Sequence, residues 1–391
     1  MGILGGVENL QWLFTGTLVA MSFAIPIFGW LSSRFPRRQF LPYVYVFFIV
    51  MLVVFYLLME SHISPVYIAR AFFIWTSVFN LFVVSVFWSF MADLYNNAQA
   101  RRLFGFIAAG GTLGALVGPA ITALLVQSLG AAHLLLISAV FLFWAIVCIA
   151  RLSIWSSQNN KNEVVNVSEP SQENAQEKQD EKLIGGGIWD GVILVFRSPY
   201  LLGICLLMLL FTTLATFLYF MQAQIIRDAF TDSAQRTAVF ASIDLAVNAL
   251  TLVIQIFITS RLIKWFGLAA VITIVPVLLA IGFMLLSISP VLVVLLAVQV
   301  IRRAGNYAIM RPAREMLYVV LRREEKYKAK NFIDTVVYRA GDAISAWVYA
   351  GMRSLGMSLA NIAVVAVPLA LVWAVVAFAL GKQQAKLAER E

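Results

Sequence analysis

The sequence predicts an all-α polytopic membrane protein, a bundle of about eleven transmembrane helices. Three observations predict it. Hydrophobic residues make up 61% of the 391 residues and charged ones only 13%, too few to clothe a water-soluble surface of this size. The mean hydropathy is +0.87, and the apolar residues come in runs of roughly 20, the length a helix needs to cross a bilayer. The basic residues gather in every second gap between those runs. A net charge of +9 distributed in this way describes topology, so affinity for nucleic acid is not expected.

The runs, in order, are 10–31, 40–59, 67–91, 104–129, 132–154, 200–220, 238–262, 268–288, 290–310, 332–352 and 358–380, five before residue 155 and six after residue 199. Arg34, Arg37 and Arg38 follow the first, Arg101 and Arg102 the third, and Arg261 and Lys264 the seventh. A dense basic loop, 311–330, follows the ninth, and the tail carries Lys382, Lys386 and Arg390. The alternate gaps are short or poor in lysine and arginine, except 222–237, where Arg227 and Arg236 are offset by Asp228 and Asp232. The positive-inside rule then puts every basic loop and the C-terminus in the cytoplasm. An odd number of spans leaves the N-terminus outside. Met1 to Leu10 has no basic stretch, so no cleavable leader is expected.

Between the fifth and sixth runs the pattern breaks. Residues 156–182 are rich in Asn, Gln, Glu and Lys and have no aromatic residue, so a partly disordered cytoplasmic linker is expected over 156–198, its later part lying at the membrane interface. The domain plan is a five-span bundle at 1–155 and a six-span bundle at 199–391. Cys148 and Cys205 both fall in apolar runs with no metal-ligand spacing, and read as small core residues.

The loop after the first run reads Gly29-Trp30-Leu31-Ser32-Ser33-Arg34-Phe35-Pro36-Arg37-Arg38. It resembles the loop motif of the major facilitator superfamily, with Ser33 at the acidic place and Pro36 at the second glycine. Ser260-Arg261-Leu262-Ile263-Lys264 echoes it in the second half. The fourth run carries Gly110, Gly111, Gly114, Gly118 and Pro119, a spacing that lets another helix approach closely and resembles the superfamily's antiporter motif. Two longer strings narrow the resemblance: Phe87-Trp88-Ser89-Phe90-Met91-Ala92-Asp93-Leu94-Tyr95, continuing to Phe104, and Arg311-Pro312-Ala313-Arg314-Glu315, continuing to Thr335. Together they are similar to the bacterial relatives of the non-mitochondrial ATP/ADP translocases. The resemblance implies a major-facilitator-type two-bundle transporter working by alternating access, built on a twelve-helix plan whose first helix is missing here. It also makes Arg34, Arg38 and Asp93 gating or coupling residues.

The residues themselves point to an anion. Arg302 and Arg303 lie inside the ninth run, and an arginine near the bilayer centre costs about 2.5–3.5 kcal/mol on insertion scales. Such a residue persists where it faces a watery cavity or a partner. Arg339 brings a third guanidinium from the next run, and the guanidinium fork suits phosphate. Asp342, one turn later, is open to three readings: a charge-neutralising pair with Arg339, a gate that an arriving anion displaces, or a proton-coupling carboxylate. Asp244, Asn248, Thr251 and Gln255 share one helix face as a polar stripe, facing either a cavity or a neighbouring helix. Arg70 and Asn80 add polar groups to the first half, though Arg70 also suits snorkelling to headgroups. The basic loop 311–330 suits contact with anionic lipid.

Glycine-rich phosphate loops, histidine clusters and nucleophile arrangements do not occur, so neither an enzyme nor a metal or organic cofactor is expected. The leading expectation is uptake or exchange of a small anionic metabolite, nucleotides of the ATP/ADP type first, across a bacterial inner membrane. The expected partners are that metabolite and membrane lipid, with the protein acting as a monomer. A proton-coupled transporter using Asp244 or Asp342 is the alternative, and a non-transporting scaffold or sensor is a second one.

Overall fold

The computed structural model describes residues 9–34, 37–61, 63–94, 97–166, 190–321, 329–330 and 332–389. The regular structure in them is helical. In chain order the helices are α1 (Leu10–Arg34), α2 (Arg37–Glu60), α3 (Pro65–Leu94), α4 (Asn97–Leu129), α5 (His133–Asn166), α6 (Asp190–Arg197), α7 (Pro199–Ala229), α8 (Ser233–Ile254), α9 (Ser260–Ile288), α10 (Leu292–Gly305), α11 (Arg311–Leu317), α12 (Tyr338–Ser354) and α13 (Leu359–Ala388). Three π-helical turns interrupt the second half: Gln255–Thr259 after α8, Asn306–Met310 between α10 and α11, and Ile333–Val337 before α12.

Nine stretches among the described residues are long and apolar enough to cross a membrane. The other two predicted runs are also helical. Run 10–31 is α1, whose stretch Leu10–Ala24 counts as a shorter apolar helix. Run 332–352 is the third π turn with α12, diluted by Asp334, Arg339 and Asp342. Several bounds move. α7 continues to Ala229, so most of the expected outer loop 222–237 is helix and the turn into α8 is only a few residues. Met310 is followed directly by α11, so the basic loop begins as helix. α5 runs on to Asn166, over the start of the expected linker; residues 167–189 lie outside the described set.

Local chemistry fixes the helix starts. Ser198 caps α7, accepting from the Leu201 amide, with Pro199 at the first helical position, where no amide is needed. Asp232 caps α8 through the Gln235 amide, and Ser358 caps α13 through the Asn361 amide. Inside the bundle the burial is striped. In α13, Ala363, Ala366, Ala370, Trp373, Ala377 and Leu380 are buried while Val364, Leu371 and Val375 are exposed. Three- and four-residue spacing therefore selects the inward face, yet the outward face is equally apolar. That is the pattern of a helix whose solvent is lipid.

The chain forms two compact units. One comprises residues 1–18, 110–128 and 188–391; the other comprises 19–109 and 129–187. In the second unit, Leu41, Tyr45, Phe48, Leu52 and Phe55 make one buried face of α2, packed with Leu135, Ala139, Leu142 and Ile149 of α5. Aromatic rings bind α2 to α3, with Phe48 edge-on to Phe79 at 5.1 Å and Phe55 edge-on to Phe72 at 5.2 Å. In the first unit α7 is the most buried span. Cys205 is buried in it, whereas Cys148 of α5 is exposed on its helix, so only one of the two cysteines is a core residue. The glycines expected to admit a close neighbour, Gly110, Gly111, Gly114 and Gly118, have nothing within 4 Å of an added Cβ among the described residues. The close approach comes instead at Gly341 of α12, where a Cβ would stand 2.3 Å from Thr212 Oγ1 of α7.

Candidate functional site

The first unit collects the charged residues at membrane depth. Arg302 and Arg303 are the eleventh and twelfth residues of the 26-residue span Leu292–Leu317. They point to different neighbours, as two successive residues about 100° apart on a helix must. Arg303 reaches α8, where Nη1 donates to Asp244 Oδ1 at 2.5 Å. Arg302 stays on its own helix and donates through Nε to Gln299 Oε1 at 3.0 Å. Gln299 in turn donates its amide to Gln222 Oε1 of α7, and both glutamines are 2% exposed. Arg303, Asp342, Tyr307 and Tyr338 each lie within electrostatic reach of Arg302.

α12 supplies the other wall. Arg339 Nη1 stands 3.7 Å from Asp342 Oδ2, one turn along the same face, and its guanidinium lies over the Tyr338 ring with a 5.5 Å separation. Asp342 also accepts from Thr216 Oγ1 of α7 at 3.4 Å. Ser345 bonds Thr213 at 2.8 Å one turn further on. This seam exists because Gly341 lets α12 lie against Thr212. The Asp342 side chain is only 15% exposed while Arg339 is 34% exposed, so the cation faces the open side of the pair.

The polar stripe of α8 is largely spent on neighbouring helices. Asp244 takes Arg303; Asn248 donates to the Ala115 carbonyl of α4 at 2.6 Å; Gln255 donates to the Tyr307 carbonyl at 3.3 Å. Thr259 adds a bond to the Ala308 carbonyl at 2.8 Å. A π turn disturbs the regular backbone ladder and leaves carbonyls for other donors. Here the side chains of one π turn, Gln255–Thr259, bond the carbonyls of another, Asn306–Met310.

Below α10, a second charge network joins α11 to the helix entering α12. Arg314 Nη2 stands 3.5 Å from Asp334 Oδ1, and Lys330 pairs with Glu315. Tyr200 donates to the Leu317 carbonyl at 2.8 Å, tying the start of α7 to the same place.

Arg70 and Asn80 belong to the other unit, on α3. Asn80 is exposed, and the Arg70 guanidinium lies 5.8 Å from the centre of the Tyr67 ring. Arg34 ends α1, Arg38 lies in the first turn of α2 and Asp93 in the last turn of α3; their side chains lie outside what is described. His133 Nδ1 is 4.0 Å from Glu60 Oε1, an exposed contact with no ligating neighbours. Among the described residues no three His, Cys, Asp or Glu side chains form a metal-holding group.

Arginines held at membrane depth within apolar spans point to a polar ligand or path, and the sequence decides the family. Residues 2–319 match the profile of the Major Facilitator Superfamily. The chain belongs to this superfamily. It is a multi-pass membrane transporter, and the fold serves a small-molecule substrate. Solved structures of the same fold include the nucleoside transporter NupG, with 13% identity, a TM-score of 0.64 and coverage of 96% of this chain and 89% of that one. The xylose transporter XylE from E. coli in its inward-open conformation has 15% identity, a TM-score of 0.61 and coverage of 94% and 85%. A POT family transporter in complex with 5-aminolevulinic acid has 14% identity, a TM-score of 0.62 and coverage of 98% and 88%. No curated protein sequence matches the chain.

In this facilitator the sequence reading missed Gln222, Gln299 and Thr216, which orient Arg302 and Asp342. Gln299 carries a signal, being a polar residue three before an intramembrane arginine. Gln222 carried none, because the charged pair Arg227–Asp228 makes the last two turns of α7 look like a loop.

Proposed function

We propose that this facilitator exchanges an anionic metabolite, nucleotides of the ATP/ADP type first, by alternating access of the halves 1–155 and 199–391 about Arg302, Arg303 and Arg339. The observation that carries the reading is that Arg303 and Arg339 are each held by a carboxylate, Asp244 and Asp342, and neither pair is fully enclosed by protein. With no substrate present, the carboxylates neutralise the cations and reduce the cost of charge in the membrane. An arriving phosphate offers the guanidinium two acceptors at once, more than the single oxygen each carboxylate presents here. It therefore takes the place of the carboxylate, and its release restores the pair. Tyr338 and Tyr307 beside Arg302 offer faces on which a base can stack.

In this proposal the membrane is a bacterial inner membrane, and the C-terminus and the 311–330 loop face the cytoplasm, as the basic loops require. The protein works as a monomer. Counterflow in liposomes tests the exchange: ADP inside should drive uptake of labelled ATP. Counterflow with other anions but not nucleotides would keep the arginine site and discard the substrate. A second reading rests on Asp342, mostly enclosed and bonded by Thr216, as the carboxylate of a proton-coupled carrier. Uptake that follows an imposed proton gradient, without any counter-substrate, would favour it.

A further inference from the structure

One residue of α9 leaves helical geometry. Gly267 has φ 72° and ψ 167°, a backbone conformation that a residue with a Cβ rarely adopts. The first turns of α9, residues 260–266, are therefore kinked away from the long span 268–288. α13 fixes the span just past the break. A Cβ on Gly381 would stand 2.4 Å from the Ala269 Cα, so the two backbones meet two residues beyond Gly267. The span is packed from there on, with Leu268 buried and Val271 and Ile272 fully so. The segment before the break is not: Trp265 is 71% exposed and Phe266 61% exposed.

This outlying segment combines cations with large rings. Arg261, Lys264 and Trp265 share one helical face, at spacings of three and four. Arg261 and Lys264 are exposed, and among the described residues neither has a hydrogen-bond or ion-pair partner. α13 adds Lys382, exposed next to Gly381, with its ammonium 4.7 Å from the centre of the Phe378 ring. The rest of α9 offers nothing similar. Residues 268–288 carry no charge, and their one aromatic residue, Phe283, is buried. An exposed indole beside unpaired cations at the end of an apolar span suits the depth where headgroups meet acyl chains.

We propose that segment 260–266 is a docking site for an anionic phospholipid, its phosphodiester between Arg261 and Lys264, its glycerol and upper acyl chains against Trp265 and Phe266, and Lys382 as a flanking cation. The guanidinium fork meets two phosphate oxygens, and the ammonium adds a point charge. The rings supply apolar contact that only a lipid can use. Gly267 makes the arrangement possible, because the bend takes the cations and rings off the axis of the span and lets them lie at one depth. The proposal stands whether or not the central arginines bind nucleotide.

Quenching of Trp265 fluorescence by brominated lipid tests it at the site itself. The full chain is placed in phosphatidylcholine vesicles holding a small, fixed fraction of either brominated phosphatidylglycerol or brominated phosphatidylcholine. The Trp265 signal is the difference between the unaltered protein and Trp265→Phe. Brominated phosphatidylglycerol should quench it several-fold more than brominated phosphatidylcholine, and added salt should shrink the difference. Arg261→Gln/Lys264→Gln should abolish the preference, whereas Arg261→Lys/Lys264→Arg, which keeps both charges, should retain it. Arg303→Gln, at the central cluster, should leave it unchanged. Equal quenching by the two lipids overturns the proposal, as does a preference that survives Arg261→Gln/Lys264→Gln. An equal preference among the tryptophans left in Trp265→Phe also overturns it, since that is attraction to the protein at large.

Discussion

Asp244 and Arg303 test how a charge survives at membrane depth. Arg303→Ala leaves Asp244 without its cation, and Asp244 is 42% exposed, so the loss falls between that of a buried and a surface pair. About 1–3 kcal/mol is expected, seen as a lower melting temperature in detergent. The double variant Arg303→Ala/Asp244→Ala should recover much of it while still failing to bind anion. If the double variant melts below the single one, the pair is not what stabilises this depth of the helix. Arg339→Ala should likewise abolish anion binding in a folded protein; wild-type affinity in both arginine variants would remove the arginine site. Asp342→Asn keeps the shape and the bond from Thr216 but lifts the competition for Arg339. Anion binding should then tighten several-fold in a thermal-shift titration, and a ligand at 100 times its dissociation constant stabilises by about 2.7 kcal/mol. Unaltered affinity together with a flattened pH profile of transport would instead mark Asp342 as the proton site.

Gly341 governs the packing of α12 on α7. Gly341→Val puts branched carbons where Thr212 Oγ1 already stands, so α12 must move away and the Asp342–Thr216 bond must open. Overpacking of this kind costs about 1–3 kcal/mol, and the melting temperature should fall accordingly; an undisturbed melting temperature and transport rate would show that the seam is not required. The elements themselves were largely readable from sequence. Each of the eleven apolar runs is a helix, since hydropathy over about 20 residues is a strong signal. Three things were not readable. α7 outruns its apolar core because Arg227 and Asp228 extend it in polar residues. The glycines of α4 carry the right spacing but no close neighbour among the described residues, since spacing permits an approach without compelling one. The three π turns left no trace because a single inserted residue hardly alters hydropathy. In the site, the arginines stood out by cost, whereas Gln222 became visible only once α7 and α10 were side by side.

At the scale of the molecule the expected coupling is electrical. Exchange of a nucleotide triphosphate for a diphosphate moves one net charge, worth about 2.3 kcal/mol per 100 mV. An imposed potassium diffusion potential should therefore speed uptake in one polarity and slow it in the other. Equal rates at both polarities would point to a charge-balanced cycle. The compact units do not coincide with the two halves of the sequence, since residues 1–18 and 110–128 group with the second half. That grouping had no sequence signal, because it depends on contacts such as Trp347 Nε1 with Thr15 Oγ1 at 3.0 Å and Asn248 with the Ala115 carbonyl.

The bonded pair of π turns has a mechanical consequence. Each interrupts the regular ladder of its helix, and Gln255 and Thr259 pin one to the other. The two helices thus share a knuckle: neither can straighten there without pulling on its neighbour. The Arg302–Arg303 end of one rod and the Arg314 end of its continuation can tilt in opposite senses while the joint stays put. Deleting one residue between 306 and 310 would remove the extra residue that the wide turn absorbs, restore an ordinary helix with Arg314 on much the same face, and lock the joint.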